Sequence, residues 1–362
     1  MPRKLPLHEA HQAAGATFLE CCGWEVPARF SSIEAEHEAL GKRAGLLDLS
    51  HSGTIEVSGD DRVRFLHGML TNDIKSLQPG KGCYAAFLTA QGRMVGDLRV
   101  FCLSDTLLLT TEPCVREKLA PALAKYVIGE RPRLVDRSDE LAILSVQGPC
   151  ASQALSQLST ALVLPEEPFD HLEAVVADTP IRVCRVKRGW AGGYDLILPK
   201  TNLSKLWKLL LEQGRACGLQ PVGLEGYNIQ RIEAGIPWYG FDMDESTLPI
   251  EAGLEKSAIS FNKGCYIGQE PVARITYRGH VNRKLSGLLL AGECPASRTD
   301  KVFSGDQQVG WVTSSGFSFS LRRPIALCYL RPEVLEPGTP LRIETDKGPI
   351  ESRVASLPFV HD

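Results

Sequence analysis

Hydrophobic residues recur at two spacings along the first 280 residues. Residues 54–58, Thr-Ile-Glu-Val-Ser, alternate polar and apolar side chains, which predicts a half-buried strand. Residues 203–213 place leucines and a tryptophan every three or four positions, which predicts an amphipathic helix that ends at Gly214. Similar patterns predict a helix after Gly59-Asp60-Asp61, a helix at 223–234, and strands at 97–103, 106–111, 141–146, 181–186 and 194–198. Because these strands and helices do not alternate regularly, we predict an α+β fold.

The pattern changes after residue 280, where short strand-like segments follow one another without a helical period. Gly, Pro and Asp separate these segments, which lie at 285–291, 308–313, 325–330 and 340–344. Such spacing predicts a small all-β module, either a barrel or a sandwich. We therefore predict two regions, residues 1–280 and residues 281–362, which meet at the basic stretch 277–284.

The composition is that of an ordinary soluble globular protein. The 362 residues are 43% hydrophobic and 23% charged, and the formal net charge is −3. A generic nucleic-acid binder, or a protein held on an anionic membrane surface, would need a surplus of basic residues. No apolar run approaches the ~20 residues of a membrane span, and no apolar segment follows the charged N-terminal residues as it would in a signal peptide. We therefore predict a cytoplasmic protein with no membrane or generic nucleic-acid partner.

The 11 cysteines are scattered along the chain, and none forms a Cys-x-x-Cys pair. An odd number of cysteines in a long chain argues against a disulfide framework, so we expect most of them to be small buried side chains. The eight histidines do not cluster at the spacings of metal ligands, and we predict no metal site. Phosphate-binding loops, zinc-protease motifs and nucleophile elbows do not occur in the sequence, which lowers the expectation for those mechanisms.

The segment 262–270 is the most unusual in the chain, because it places Lys263, Cys265, Gln269 and Glu270 around two glycines. A cysteine beside a lysine in a glycine-rich loop can have a lowered pKa and react as a thiolate. The alternative is a tight turn whose polar side chains satisfy backbone groups. The residues alone leave both interpretations open.

Two further positions carry chemistry that suits a ligand site. Asp97 lies where a turn enters a predicted strand, and an acid there can hold a positively charged nitrogen; the alternative is an Asx turn or a surface ion pair with Arg93 or Arg99. Arg231 lies near the aromatic pair Trp238-Tyr239, which suits a flat ligand with carboxylates. The alternative for Arg231 is the end of a helix that packs on the core.

Taken in order, several segments resemble the glycine cleavage T-protein (aminomethyltransferase) superfamily. In the N-terminal half, the matching pieces are Pro6-Leu7-His8, Gly23-Trp24-Glu25-Val26-Pro27, Gly45-Leu46-Leu47-Asp48-Leu49-Ser50-His51, Leu70-Thr71-Asn72-Asp73, Tyr84 and Gly96-Asp97-Leu98. The C-terminal half is more similar to the YgfZ branch of that superfamily. The signature of this branch, K-G-C-Y-x-G-Q-E, stands complete at 263–270 and is followed by Ala273-Arg274 and Tyr277-Arg278-Gly279.

This resemblance implies a cloverleaf of three domains around a central channel that binds tetrahydrofolate or a one-carbon derivative of it. Residues 1–280 would form two interleaved α+β subdomains, the second at 52–137, and residues 281–362 a small β-barrel. The resemblance also assigns roles to single residues. Asp97 would orient the folate nitrogens, and Tyr84 would lie near the ligand.

The run Gly-Trp-Ala-Gly-Gly-Tyr-Asp at 189–195 matches a longer run of the family. It implies that Trp190 flanks the pterin ring and that Asp195 accepts hydrogen bonds from the N–H groups of the pterin edge. Arg231 matches a family arginine and would bind the carboxylates of the folate tail. An acidic pair inside the family run is missing here, and Asp195 is one methylene shorter than the family glutamate, so the binding pocket is expected to be kept better than the catalytic geometry.

Three functions follow from the resemblance. The first is a tetrahydrofolate-binding YgfZ-type protein that supports iron–sulfur cluster assembly or repair through Cys265 and works with iron–sulfur client or assembly proteins. The second is an aminomethyltransferase that moves a one-carbon unit from a lipoyl carrier protein to tetrahydrofolate, with Asp97 at the reaction. The third is a partner-binding protein that keeps only the fold. The complete cysteine loop favours the first, and whether the chain is an enzyme is left open.

Overall fold

A computed structural model describes residues 1–129, 131–159 and 161–361 of the chain. Its strands are, in chain order, β1 (Arg3–Lys4), β2 (Thr17–Cys21), β3 (Trp24–Arg29), β4 (Ala44–Asp48), β5 (Gly53–Ser58), β6 (Gly82–Leu88), β7 (Met94–Cys102), β8 (Leu107–Thr111), β9 (Arg133–Asp136), β10 (Leu141–Gln147), β11 (His171–Val176), β12 (Thr179–Arg185), β13 (Gly193–Pro199), β14 (Leu219–Pro221), β15 (Lys284–Leu290), β16 (Lys301–Ser304), β17 (Gln307–Ser318), β18 (Arg323–Leu330), β19 (Pro340–Thr345) and β20 (Gly348–Ala355). Its α-helices are α1 (His8–Ala13), α2 (Ile33–Lys42), α3 (Arg62–Met69), α4 (Arg116–Ala124), α5 (Ala151–Ser156), α6 (Leu203–Gln213), α7 (Leu224–Glu233) and α8 (Gln269–Arg278).

A six-stranded sheet forms one part of the N-terminal region, in the order β11-β12-β13-β10-β4-β14. The helix predicted at 203–213 is confirmed as α6, and its apolar face packs through Leu206, Trp207 and Leu210 into the core of this sheet. Strand β10 pairs with β13 so that Ser145 lies opposite Asp195. This pairing fixes where the Asp195 side chain can reach.

A five-stranded sheet, ordered β6-β7-β8-β5-β9, forms the second part. The strand and helix predicted at 54–70 are confirmed as β5 and α3, and Phe65 and Leu66 of α3 lie in the core of this sheet. The predicted hairpin is confirmed as β7 and β8, in which Leu98 pairs with Thr111. Tyr84 of β6 and Asp97 of β7 therefore stand on neighbouring strands.

The C-terminal region closes into a barrel, in the order β15-β18-β17-β16-β19-β20. The predicted small β-barrel is confirmed, and closure leaves no unpaired sheet edge. Helix α7 packs against this barrel through Ile232, which shares a core with Leu285, Ile325 and Tyr329. The fold is α+β, as predicted. The boundaries at 52–137 and 280/281 stay predictions.

A small sheet, ordered β1-β3-β2, begins the chain and carries a feature that the sequence analysis did not expect. Cys22, in the turn between β2 and β3, forms a disulfide with Cys114, which follows β8. The sequence did not predict this single pair, because the two cysteines are 92 residues apart and only the tertiary fold brings them together. The other nine cysteines are free, and two of them, Cys265 and Cys294, are exposed.

Candidate active site

A cavity of about 780 Å³ lies where the five-stranded sheet, helix α7 and the barrel meet. Residues of the five-stranded sheet, of helix α7 and of the barrel line it, as in the central channel that the resemblance implies. The polar and aromatic side chains that line it include Tyr84, Asp97, Arg99, Glu112, Phe169, Arg188, Tyr227, Arg231 and Trp238. A volume of this size with few polar groups on apolar walls is typical of a small-molecule site.

Asp97 is the buried acid of this cavity, with 4% of its surface exposed. Its Oδ2 accepts a hydrogen bond of 2.7 Å from the Tyr84 hydroxyl, while its buried Oδ1 has no hydrogen-bond partner among the described residues. Burial, and after it the charge of Glu112, raise the pKa of Asp97 to about 6. The cavity therefore presents one carboxylate oxygen that a ligand can engage. The alternative of an exposed Asx turn or surface ion pair for Asp97 is not what the structure shows.

Glu112 follows β8 and is a second buried acid of the cavity. One of its oxygens accepts hydrogen bonds from Arg99 at 3.1 Å and Arg188 at 3.4 Å, and the other accepts one from the indole of Trp238 at 3.0 Å. Burial opposes its charge, but the two guanidinium groups hold the pKa of Glu112 below its usual value. Glu112 is thus an ionised neighbour of Asp97.

Asp195 is buried beside the cavity but does not line it. The Arg188 guanidinium donates to both of its oxygens, at 2.7 Å, 2.9 Å and 3.2 Å, and Ser145 donates to one of them at 2.7 Å. Its carboxylate is therefore occupied by protein groups, and Arg188 is the residue of this pair that lines the cavity.

Glu112 and Arg188 are cavity residues that were not predicted from the sequence. Arg188 stands directly before the run 189–195, and a buried acid at position 195 needs a cationic partner, so the pairing had a signal. Glu112 had a weaker one, namely a charge at the end of the apolar strand β8.

Arg231 lies in the last turn of helix α7 and is 1% exposed, and it lines the cavity next to Trp238. Its guanidinium bonds Asp242 at 2.6 Å and Ser314 of the barrel at 2.7 Å. These contacts join α7 to the barrel and use much of the donor capacity that a folate tail would need. The geometry agrees with the alternative interpretation of a helix end that packs on the core.

Trp190 lies outside this cavity, on a second cavity of about 640 Å³ beside helix α2 and the barrel. Its indole donates to the buried Glu233 carboxylate at 3.2 Å, which also accepts a bond of 2.7 Å from His37. The structure therefore brings Tyr84, Asp97 and Arg231 together in one cavity and places Trp190 elsewhere.

The 263–270 segment likewise lies away from the cavity lining. Lys263 is buried, and its ammonium donates to the carbonyls of His67 at 2.5 Å, Leu70 at 2.5 Å and Asn72 at 2.9 Å. It therefore satisfies carbonyl groups at the end of helix α3. Burial lowers the pKa of Lys263 to about 8. Cys265, by contrast, is exposed.

Comparison with known proteins places the chain in a family. The family model described as the GCVT N-terminal domain matches residues 7–263, and the glycine cleavage T-protein C-terminal barrel domain matches residues 283–361. The chain belongs to the glycine cleavage T-protein family. Among the described residues, no group of three or more His, Cys, Asp or Glu side chains is placed to hold a metal ion. No helix in the described part of the chain is both long and apolar enough to cross a membrane.

Relatives within this family match the chain from end to end. The chain is similar to proteins named aminomethyltransferase from Bacillus pumilus and from Bacillus subtilis, each 32% identical over 99% of the chain and 99% of the relative. The crystal structure of glycine cleavage system aminomethyltransferase T from Bartonella henselae superposes with a TM-score of 0.90 at 27% identity, over 99% of this chain and 98% of that one. These relatives correspond to the aminomethyltransferase alternative of the sequence analysis. The YgfZ subtype is not supported.

Proposed function

We propose that this chain is an aminomethyltransferase that takes a one-carbon unit from an aminomethylated lipoyl carrier protein and delivers it to tetrahydrofolate. Full-length similarity to proteins of that name supports the proposal. The observation that carries it is the unpartnered Oδ1 of Asp97, buried and on the wall of a cavity large enough for a folate. Buried polar atoms are normally satisfied, so an orphan oxygen at a cavity wall points to a ligand group.

The chemistry that we propose uses Asp97 as an anion near the reacting nitrogens of tetrahydrofolate. The carbon–sulfur bond of the aminomethyl group breaks and the carrier leaves as its thiol, while the amino nitrogen leaves as ammonia. The carbon reaches the folate nitrogens as a cationic, iminium-like species, and a fixed carboxylate in a buried site stabilises that charge. Tyr84 holds the carboxylate in place through its 2.7 Å hydrogen bond. Oδ1 is then the oxygen that faces the ligand.

The remaining walls suit a flat heterocycle. Phe169 stacks over Tyr84 with ring centroids 6.5 Å apart, and Tyr227 meets Trp238 edge to face at 5.8 Å. Such rings bind a pterin through stacking and dispersion. We propose that Asp195 acts by fixing Arg188, whose guanidinium forms part of the wall, rather than by contacting the pterin edge itself.

A turnover assay tests this proposal. The purified protein is supplied with tetrahydrofolate and an aminomethylated lipoyl carrier protein, and methylene-tetrahydrofolate is measured. We expect catalytic turnover, and a loss of at least about 100-fold in Asp97→Asn. The matched control is Glu56→Gln, which removes a half-exposed acid of the same sheet that is paired with Arg137. Absence of turnover in the folded native protein, with folate bound, would contradict the proposal.

The iron–sulfur hypothesis has one observation in its favour, namely the exposure of Cys265 within the complete signature 263–270. It stays a proposal that competes with the first. Cells lacking this protein and supplied with Cys265→Ser would lose iron–sulfur enzyme activity under this hypothesis and keep it under the aminomethyltransferase proposal. Asp97→Asn would lose one-carbon transfer under the aminomethyltransferase proposal.

A further inference from the structure

Asp97 and Glu112 are two buried acids that the five-stranded sheet places side by side. In the β7–β8 pair, Leu98 lies opposite Thr111, so the next step of the same register brings Asp97 opposite Glu112. The Thr111 hydroxyl donates to the Asp97 backbone carbonyl at 2.7 Å, which ties the two strand ends together. Side chains opposed in this way have Cβ atoms about 5 Å apart, and like charges at that distance repel.

The environments of the two acids differ. Glu112 receives three hydrogen bonds, from Arg99, Arg188 and the Trp238 indole, so its negative charge is compensated. Asp97 receives one side-chain hydrogen bond, from Tyr84. When two close acids are solvated so unequally, one stays ionised and the other retains a proton more easily.

We infer that Glu112 is a positioning residue that acts through Asp97, because the strand register places its compensated negative charge opposite the Asp97 carboxylate. This inference rests on the proposed function for its catalytic consequence, but not for its electrostatic one. Raising the pKa of Asp97 toward neutral pH makes its carboxylate a better proton acceptor at a reacting nitrogen. A group whose pKa lies near the working pH is the most effective acid or base.

The charged and titratable groups around Asp97 come from every packed element. Tyr84 of β6 donates to it and Arg99 of its own strand lies close, and both lower its pKa. Glu112 raises it. Tyr239, from the segment after α7, is buried; burial, then the charge of Glu245 and then that of Asp97 raise its pKa well above the usual value. Glu112 is therefore the acidic side chain of this set whose charge pushes the pKa of Asp97 upward.

The groups around Glu112 stay fixed in charge over the working pH range. Arg99 and Arg188 are guanidinium groups, which remain protonated. His51 is buried nearby, and burial lowers its pKa to about 4, so it is neutral above that pH. A change in the Asp97 titration after substitution of Glu112 would therefore report the charge of Glu112 itself.

The experiment is a carboxyl NMR titration of the full-length protein labelled with ¹³C at the aspartate side chains, with Asp97→Asn used to assign the signal. The native Asp97 is expected to titrate near pH 6.

Glu112→Gln keeps an acceptor for Trp238 but removes the charge, and should lower this midpoint by about one unit. Glu112→Asp keeps the charge, so its Asp97 midpoint should stay closer to that of the native protein. Arg99→Gln removes a cation and should raise the midpoint, which provides a second test if Glu112→Gln does not fold. Glu56→Gln should leave the Asp97 midpoint unchanged.

The same variants are then assayed for transfer between pH 5 and pH 8.5. The acid limb of kcat should move down in Glu112→Gln and up in Arg99→Gln, together with the NMR midpoint. An unchanged Asp97 midpoint in whichever of these two variants is folded would overturn the inference. Lack of turnover in the native protein would contradict the proposed function alone, because the NMR midpoints do not depend on activity.

Discussion

The Tyr84 hydroxyl donates to Oδ2 of Asp97 at 2.7 Å, while Oδ1 of the same carboxylate is buried and has no partner in the part of the chain that the structure describes. The pair thus combines a fixed orientation with an unmet hydrogen-bonding demand. A site built to receive a ligand group is expected to show this combination, and it is expected to reduce the stability of the empty protein.

Asp97→Asn should therefore stabilise the unliganded protein at high pH while it abolishes transfer. The pKa of Asp97 is raised from 3.8 to about 6 in the folded protein, so Asp97 ionises more readily in the unfolded chain. The folded state therefore loses stability as the pH rises through this range. An amide removes that loss, with a gain of up to about 3 kcal/mol above pH 7. Thermal unfolding at pH 8 and at pH 3.5 checks this: the variant should melt higher at pH 8 and like the native protein at pH 3.5. A lower melting temperature at pH 8 would show that the carboxylate supports the fold.

Tyr84→Phe should lower the stability of the protein at high pH, which is the opposite of the effect expected for Asp97→Asn. It removes the hydrogen bond that lowers the pKa of Asp97, so the pKa rises further and the acid limb of the transfer rate should move to higher pH. The ionised carboxylate then lacks a donor, which costs about 1–3 kcal/mol at pH 8 and less at pH 5. Tyr194→Phe is the matched control, because the Tyr194 hydroxyl lies 3.1 Å from Ser152, outside the cavity. A pH profile equal to that of the native protein would contradict the coupling.

Much of the fold could be predicted because periodicity reports local burial. Helix α6 was found to the residue, since one face carries large apolar side chains and Gly214 follows. Helix α8 was missed, because it begins directly after Gly268 and carries Pro271 in its first turn, both of which are typical of a loop. A left-handed backbone at Gly268 is what allows the chain to enter that helix.

The site could be predicted less well, because its geometry depends on which strands become neighbours. Asp97 was indicated by its position at the start of a strand, and Tyr84 only by the resemblance; both line the cavity, whereas Trp190 precedes β13 and lines another cavity. Asp195 was expected to face a ligand, but cross-strand pairing with Ser145 and the fork of Arg188 occupy its carboxylate. Ser145 lies 50 residues from Asp195 along the chain, so only the strand pairing brings these two side chains together.

Arg231→Leu should destabilise the protein rather than weaken folate binding alone. The substitution leaves Asp242 buried without its cation, and breaking a buried pair on one side costs about 3–5 kcal/mol. Arg137→Leu is the matched control, since Arg137 forms surface ion pairs with Glu56 and Glu140 and should unfold like the native protein. Urea unfolding followed by circular dichroism measures both. If Arg231→Leu unfolded like the native protein but lost folate binding, Arg231 would bind the carboxylates of the folate tail instead of stabilising the fold.

Lys263→Met and Cys265→Ser should separate the two interpretations of the 263–270 segment. The Lys263 ammonium satisfies three carbonyls at the end of α3, so the methionine variant leaves them unpaired and should lose about 2–4 kcal/mol of stability. Cys265 is exposed, and its substitution should change stability by less than about 0.5 kcal/mol. Thermal unfolding of both variants, beside the transfer assay, distinguishes the roles. If Lys263→Met were as stable as the native protein, the lysine would have a function other than holding α3. If Cys265→Ser lost transfer while folded, the thiol would belong to the reaction although Cys265 does not line the cavity.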